Sequence, residues 1–315
     1  MGEIQLIAMD LDGTLLTTDK RLTERNRNAM EKAAEAGIFI VPATGRIYTG
    51  LPEEIRDLSF IRYLILANGA AVYDREEDRI LYRAEIPQET ALEVMTWLDG
   101  FPAIYDCYQD GQAYMTAEML KKADRYAPSP IYLKMILALR KPVPDLKERI
   151  RTEGKAVQKI QAFCETAEIQ EFVMIKTAER FPQLAVTSSI ARNIEINDGR
   201  ANKGVALQAL CDYLGIGTEA AAAFGDGSND LSMIRTAGIG VAMENGVQAA
   251  KDAADRIAPG NDEDGVGRMI EEMNKGAFRV PGAYRPFSAE KEPPALSPGA
   301  PNPLTPSGRK YIKLI

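Results

Sequence analysis

Ile4-Gln5-Leu6-Ile7-Ala8-Met9-Asp10-Leu11-Asp12-Gly13-Thr14 is the stretch on which the fold turns. A short apolar run that stops abruptly at an acid reads as a parallel strand, buried on both faces and delivering Asp10 at its carboxyl end. A carboxylate placed that deep needs a partner or a metal. Alternate side chains of an extended segment point the same way, so Asp10 and Asp12 face one site while Leu11 packs away. Gly13 then lets the chain turn sharply.

The same rhythm continues outward from this strand. Residues 22–36 carry a helical pattern with Thr23 as N-cap and Gly37 as the stop. Residues 38–43 are strand-like and end at Thr44-Gly45-Arg46. Residues 62–67 form a third run ending at Asn68-Gly69, and 70–73 with 79–83 read as a hairpin. The alternation returns late in the chain: helix 204–214, strand 220–224 ending at Gly225-Asp226, helix 229–237, strand 239–243, helix 247–254 and a short strand 255–258. This β-α-β order predicts an α/β fold with a Rossmann-like parallel sheet, whose strand ends converge on one edge. Asp10, Thr44 and Asp226 are then neighbours through topology alone.

Between the halves the pattern changes. Residues 88–98 look helical, 103–115 resemble a hairpin around Asp110-Gly111, and 159–164 are strand-like. Residues 166–179 are helical, followed by short strands at 184–187 and 193–196. This predicts an inserted α+β domain, with crossings near 83–87 and 189–197. The expected organisation is a core of 1–84 and 190–275, an inserted domain of 85–189, and a tail of 276–315. The tail holds eight of the chain's 18 prolines and no apolar periodicity, so it is expected to be disordered. Its end, Arg309-Lys310-Tyr311-Ile312-Lys313-Leu314-Ile315, is basic and apolar.

Composition narrows the chemistry. The 315 residues contain no histidine, which removes Ser-His-Asp and Cys-His catalysis, phosphohistidine chemistry and histidine-based metal sites. Cys107, Cys164 and Cys211 are isolated, form no C-x-x-C pair and have no Arg six residues downstream, so they read as core residues. A net charge of −7 argues against nucleic acid or an anionic membrane as partner. No window approaches the ~18 apolar residues of a membrane span, and the first residues lack a basic leader, so a cytoplasmic protein is expected.

What remains is a set of oxygens and cations. Asp10, Asp12, Asp226 and Asp230 supply carboxylates, Thr44 a hydroxyl, Arg46 a guanidinium and Lys203 an ammonium. Each has a bland reading alone: a polar turn, a strand-end threonine, a surface arginine, a solvated lysine at a helix start. Their joint occurrence at strand ends decides against it. Clustered acids need a compensating cation, and an all-oxygen set suits Mg²⁺, which points to Mg²⁺-assisted phosphoryl transfer. No Walker-type or dinucleotide-binding glycine motif occurs.

On these motifs the chain resembles the haloacid dehalogenase (HAD) superfamily of phosphatases, specifically the Cof-like branch with an α/β cap of class IIB inserted between the second and third motifs. The resemblance covers about 1–83 and 190–273, including Val241-Ala242-Met243-Glu244-Asn245 and Asn261-Asp262-Glu263-Asp264-Gly265-Val266. It implies that Asp10 is the nucleophile and Asp12 the general acid and base. It implies Mg²⁺ held by the Asp10 carboxylate, the Asp12 main-chain carbonyl and Asp226, with Asp230 close by. Thr44 and Lys203 would bind the phosphoryl oxygens, helped by backbone N–H groups at Leu11 and Gly45. Asn229 would orient phosphate or metal-bound water, and Arg46 would touch substrate. The implied activity is hydrolysis of a small phosphorylated metabolite under a cap that closes as a lid, with no nucleic acid or membrane involved. A phosphomutase or phosphotransferase, and a non-catalytic phosphometabolite-binding regulator, remain as alternatives.

Overall fold

The computed structural model describes residues 4–188 and 190–273; the expected tail of 276–315 lies outside them. Among the described residues the strands, in chain order, are β1 (Leu6–Met9), β2 (Phe39–Pro42), β3 (Tyr63–Leu66), β4 (Ala71–Asp74), β5 (Arg79–Arg83), β6 (Ala103–Gln109) and β7 (Gln112–Thr116). They continue as β8 (Arg140–Val143), β9 (Lys159–Cys164), β10 (Leu184–Thr187), β11 (Asn193–Asp198), β12 (Ala221–Gly225), β13 (Ile239–Met243) and β14 (Arg256–Ala258). No helix among them is long and apolar enough to cross a membrane.

Two compact units result. The first comprises the chain up to Gly45, then Pro52–Arg83, and the described residues from Lys203 onward; the second comprises Arg46–Leu51 and Ala84–Asn202. The core of the first is a five-stranded sheet of order β14-β13-β12-β1-β2, parallel throughout. β1 lies between β2, which follows it in sequence, and β12, which comes more than two hundred residues later. The connections therefore leave β1 in opposite directions, and the crevice at its carboxyl end is where open α/β sheets bind ligands. β3, β4 and β5 form a separate antiparallel sheet, linked to the end of β2 by a parallel bridge between Ala43 and Ile65.

Side-chain size explains how the helices dock. β12 reads Ala-Ala-Ala-Phe-Gly, and its alanines let the helix Lys203–Leu214 come down on the sheet through Ala206, Leu207, Leu210 and Cys211. Gly204 makes that approach possible, because a Cβ there would run into the backbone carbonyl of Ser232 on the helix Leu231–Thr236. The helix Glu24–Glu35 is capped by the Thr23 side chain and packs beside the helix Gly265–Glu272, where Asn26 accepts from the Gly267 N–H at 2.8 Å.

The second unit is built on a six-stranded sheet of order β10-β11-β9-β6-β7-β8. One face, with Tyr105, Cys107, Ile160, Ala162, Ile194 and Ile196, packs against the helices Gln88–Leu98, Leu146–Glu153 and Ala167–Arg180. The hairpin turn at Asp110-Gly111 has positive φ at both residues, as its sequence requires. All three cysteines are buried.

The return crossing differs from the sequence expectation. Residues 190–202, expected in the core, belong to the second unit, because β11 pairs antiparallel with both β9 and β10. Its alternation of Ile194 and Ile196 with Asn193, Glu195 and Asn197 suits a sheet with one apolar and one polar face, not a buried parallel strand. The chain re-enters the first unit at Lys203.

Candidate active site

β1 ends at Asp10, whose N–H donates to the Phe224 carbonyl of β12 at 3.0 Å, so the residue is fixed at the sheet's carboxyl edge. The residue is buried, and its carboxylate lies with those of Asp226 and Asp230, one oxygen of each falling within 4.8 Å of the others. Lys203, fully buried at the start of its helix, bridges two of them: Nζ donates to Asp10 Oδ1 and to Asp230 Oδ1, both at 2.6 Å. The other Asp230 oxygen accepts from the Asp226 N–H at 2.9 Å and the Gly227 N–H at 2.8 Å. Asp230 thus organises the turn after β12 while it holds the lysine.

Asp226 is oriented from the β1 side. Thr14 Oγ1 donates to its Oδ1 at 2.7 Å, and the carboxylate sits over Gly13, where φ is +93° and a Cβ would collide with it. The Gly13 carbonyl accepts from Asn245 Nδ2 at 2.8 Å, and Asn245 Oδ1 accepts from the Asn261 N–H at 2.9 Å. Asn26 and Asn261 donate side-chain N–H groups to the carbonyls of Leu15 and Leu16. The loop after β1 is therefore held by amide side chains from three distant segments.

Electrostatics favour an added cation. Burial pushes the Asp10 carboxyl well above its usual range, and Asp230, Asp226 and Asp12 push the same way against the pull of Lys203. Burial and then Asp230 raise Asp226 to about 6, despite the Thr14 hydrogen bond and Lys203. Lys203 is held protonated by Asp10 and Asp230 against the cost of its own burial. The Lys203 ammonium alone does not balance the three carboxylates of Asp10, Asp226 and Asp230. A hard divalent cation would, and the cluster of carboxylates Asp10, Asp226 and Asp230 fits one.

The remaining candidates divide. Thr44 is buried at the end of β2; its N–H donates to the Ile65 carbonyl at 2.9 Å and its carbonyl accepts from the Asn68 N–H at 3.0 Å. Asn229 Nδ2 donates to Asn68 Oδ1 at 3.2 Å. Asp12 is partly exposed, with Oδ1 2.9 Å from Lys20 Nζ. Leu11 is fully buried and its carbonyl accepts from Leu16. Gly45 is the last residue of its segment in the first unit, whereas Arg46 clusters with the second, where its Nη1 donates to the Gly50 carbonyl at 2.8 Å.

Within the second unit, the sheet face opposite the helices Gln88–Leu98 and Ala167–Arg180 carries a buried polar network. Arg140 Nε donates to Asp106 Oδ2 at 2.7 Å and its Nη2 to Gln161 Oε1 at 3.1 Å, which also accepts from the Tyr108 hydroxyl at 2.7 Å. Lys159 pairs with Glu195 at 3.3 Å and lies 4.7 Å from the Tyr108 ring centre. The second Asp106 oxygen is buried and accepts no hydrogen bond from the described residues.

A sequence profile of haloacid dehalogenase-like hydrolases matches residues 7–270. The chain belongs to that family. It is 30% identical to the Bacillus subtilis phosphatase YwpJ over 294 residues, covering 86% of this chain and all of the relative. It is also 30% identical to the 5-amino-6-(5-phospho-D-ribitylamino)uracil phosphatase YwtE of Bacillus subtilis, over 87% of this chain and 100% of that protein. A solved haloacid dehalogenase-like hydrolase from Bacillus subtilis superposes with a TM-score of 0.74 at 30% identity, covering 86% of this chain and 100% of the other. The HAD subclass IIB sugar phosphatase BT4131 shares the fold at a TM-score of 0.72 and 24% identity, over 86% of this chain and 99% of that one. The chain is an enzyme of the phosphatase class; its family generally uses a divalent metal, and the Asp10, Asp226 and Asp230 cluster could hold one.

Asn26, Asn68, Asn245 and Asn261, whose amides hold the loops around the site, carry no role in the sequence reading. Asn245 and Asn261 stand in stretches given only as family-like, and Asn68 only as the end of a strand-like run. For Asn68 the signal is an asparagine directly after an apolar strand-like run, since an amide placed there must find partners.

Proposed function

We propose that this protein is a Mg²⁺-dependent phosphomonoester hydrolase that cleaves a small phosphorylated metabolite through an aspartyl-phosphate on Asp10. The observation that carries the reading is the buried triad in which Lys203 bridges Asp10 and Asp230 beside Asp226. Asp10 and Asp226 would hold Mg²⁺ directly, with the Asp12 main-chain carbonyl. Asp230, whose oxygens already accept from Lys203, Asp226 and Gly227, would serve chiefly to fix the other ligands. When bound, Mg²⁺ screens the repulsion between a carboxylate nucleophile and an anionic phosphoryl group.

The residues then have distinct tasks. An Asp10 carboxylate oxygen attacks phosphorus, the bond from phosphorus to the ester oxygen breaks, and Asp12 gives that oxygen its proton. In the second half Asp12 takes a proton from water as the water attacks phosphorus, and the Asp10 carboxylate departs. Lys203 and Thr44 bind phosphoryl oxygens, with backbone N–H groups at Leu11 and Gly45, and Asn229 contributes its amide. Splitting one displacement into two lowers each barrier, and acid–base help of this kind is worth roughly 10²–10⁴-fold.

Leaving-group selection is assigned to the second unit. Its polar sheet face pairs acids with bases, Asp106 with Arg140 and Glu195 with Lys159. A hydroxyl-rich leaving group is in keeping with the ribityl phosphate named for a relative. Arg46, which lies in this unit, remains a candidate contact. The test is a panel of phosphate esters assayed with Mg²⁺ for release of inorganic phosphate. Release from small polyol or sugar phosphates is expected. Transfer of labelled phosphate to an added sugar phosphate without release would make the enzyme a phosphotransferase, and no turnover alongside tight metabolite binding would make it a regulator.

A further inference from the structure

We infer that Asn68 is a positioning residue that sets the Asn229 carboxamide for phosphate binding and ties it to the strand end carrying Thr44. The inference rests on the reading above, in which Thr44 and Asn229 contact the phosphoryl group.

The local backbone is unusual. Immediately after β3, Ala67, Asn68 and Gly69 all have positive φ, at 50°, 61° and 93°. Glycine adopts such angles freely and asparagine tolerates them, but alanine does so only under strain. Strain of this kind persists only where surrounding structure over-determines it, and it gathers at functional sites. The turn is buried at all three positions.

The geometry delivers two contacts from one residue. The Asn68 N–H donates to the Thr44 carbonyl at 3.0 Å, while the Thr44 N–H donates to Ile65 on β3 at 2.9 Å, so Thr44 is clamped on both sides of its peptide. The Asn68 side chain turns to the other segment, where its Oδ1 accepts from Asn229 Nδ2 at 3.2 Å. An amide nitrogen has two hydrogens. With one engaged by Asn68, the carboxamide plane of Asn229 is fixed and its second hydrogen has a set direction. A left-handed turn carrying a short acceptor needs asparagine or aspartate.

Asn68→Gly separates the two contacts. Glycine retains the positive φ and the N–H to Thr44, and removes the side-chain carboxamide that accepts from Asn229. The measurements are KM, kcat and competitive inhibition by inorganic phosphate with Mg²⁺, for wild type, Asn68→Gly, Asn229→Ala and the double variant, each with its thermal midpoint. A single hydrogen bond implies about a three- to tenfold rise in KM and in the phosphate inhibition constant for Asn68→Gly. In the Asn229→Ala background the same change should add less than about twofold, because the positioned group is gone. Multiplying effects in the double variant, or wild-type constants for Asn68→Gly beside an impaired Asn229→Ala, would overturn the positioning role. Wild-type constants for Asn229→Ala would instead remove the phosphate role of Asn229, and the inference with it.

Discussion

Replacing Lys203 by methionine tests the electrostatic heart of the site. Methionine keeps much of the side-chain volume and removes the charge, leaving Asp10 and Asp230 facing one another across a gap that Nζ now bridges at 2.6 Å on each side. Lys203 is 0% exposed, so water cannot take its place without rearrangement. Breaking a buried ion pair by removing one partner costs about 3–5 kcal/mol. At a urea m-value of about 3 kcal/mol/M, that corresponds to a fall of about 1–2 M in the unfolding midpoint. Far-UV circular dichroism at pH 7 in chelator reads the loss. The single tryptophan, Trp97, lies in the second unit, so its fluorescence reports that unit separately. Mg²⁺ should restore part of the loss, since a divalent cation among the same carboxylates supplies the missing charge. A Lys203→Met protein with the wild-type urea midpoint in chelator would refute this reasoning, because it would mean the lysine neutralises nothing.

The other perturbations follow from the same geometry. In chelator, the folded carboxyls of Asp10 and Asp226 lie above their unfolded values, so their contribution is full below about pH 4 and is lost as pH rises through the folded values. For Asp226, raised from 3.8 to about 6, this amounts to roughly 2–3 kcal/mol. The stabilisation given by Mg²⁺ should therefore grow from pH 4 to pH 7 in thermal melts, and a pH-independent Mg²⁺ increment would contradict it. Gly13→Ala should raise the Mg²⁺ concentration for half-maximal activity by an order of magnitude or more, because the new Cβ displaces the Asp226 carboxylate at a φ that alanine resists; an unchanged Mg²⁺ titration would speak against Asp226 as a ligand. Gln161→Ala, which removes the acceptor shared by Arg140 and Tyr108, should reorder metabolite substrates by one or two decades while sparing an activated aryl phosphate. Uniform losses across all substrates would place discrimination elsewhere.

The core was legible because its signals are local and its convergence is topological. Each strand end carried its own chemistry, Asp10 after β1, Thr44 after β2 and Asp226 after β12, and a parallel sheet brings such ends together whatever lies between them. The inserted unit was harder to read. The helix Pro130–Leu139 is Pro-Ile-Tyr-Leu-Lys-Met-Ile-Leu-Ala-Leu, with Lys134 its one charged residue, so periodicity could not assign it a face. Its Ser129-Pro130 start was the one usable sign, and the Ser129 side chain does cap it. The short strand β8 contains Pro142 and gave no strand pattern. The division of labour among the acids was also invisible. Nothing in Gly-Asp-Gly-Ser-Asn-Asp tells which carboxylate accepts backbone N–H groups and which faces a metal; that depends on the turn's own hydrogen bonds.

The most direct test of the account is the rate of phosphate release by wild type and by Asp10→Asn, each with Mg²⁺ and with chelator, on one good substrate from the ester panel. Asparagine keeps the shape of Asp10 but is a poor nucleophile and a weaker Mg²⁺ ligand. Turnover should appear only for wild type with Mg²⁺, and the variant should be folded and inactive. Comparable release in chelator, or an Asp10→Asn enzyme that retains more than a few per cent of the wild-type rate, would contradict an Asp10-centred, Mg²⁺-dependent phosphatase.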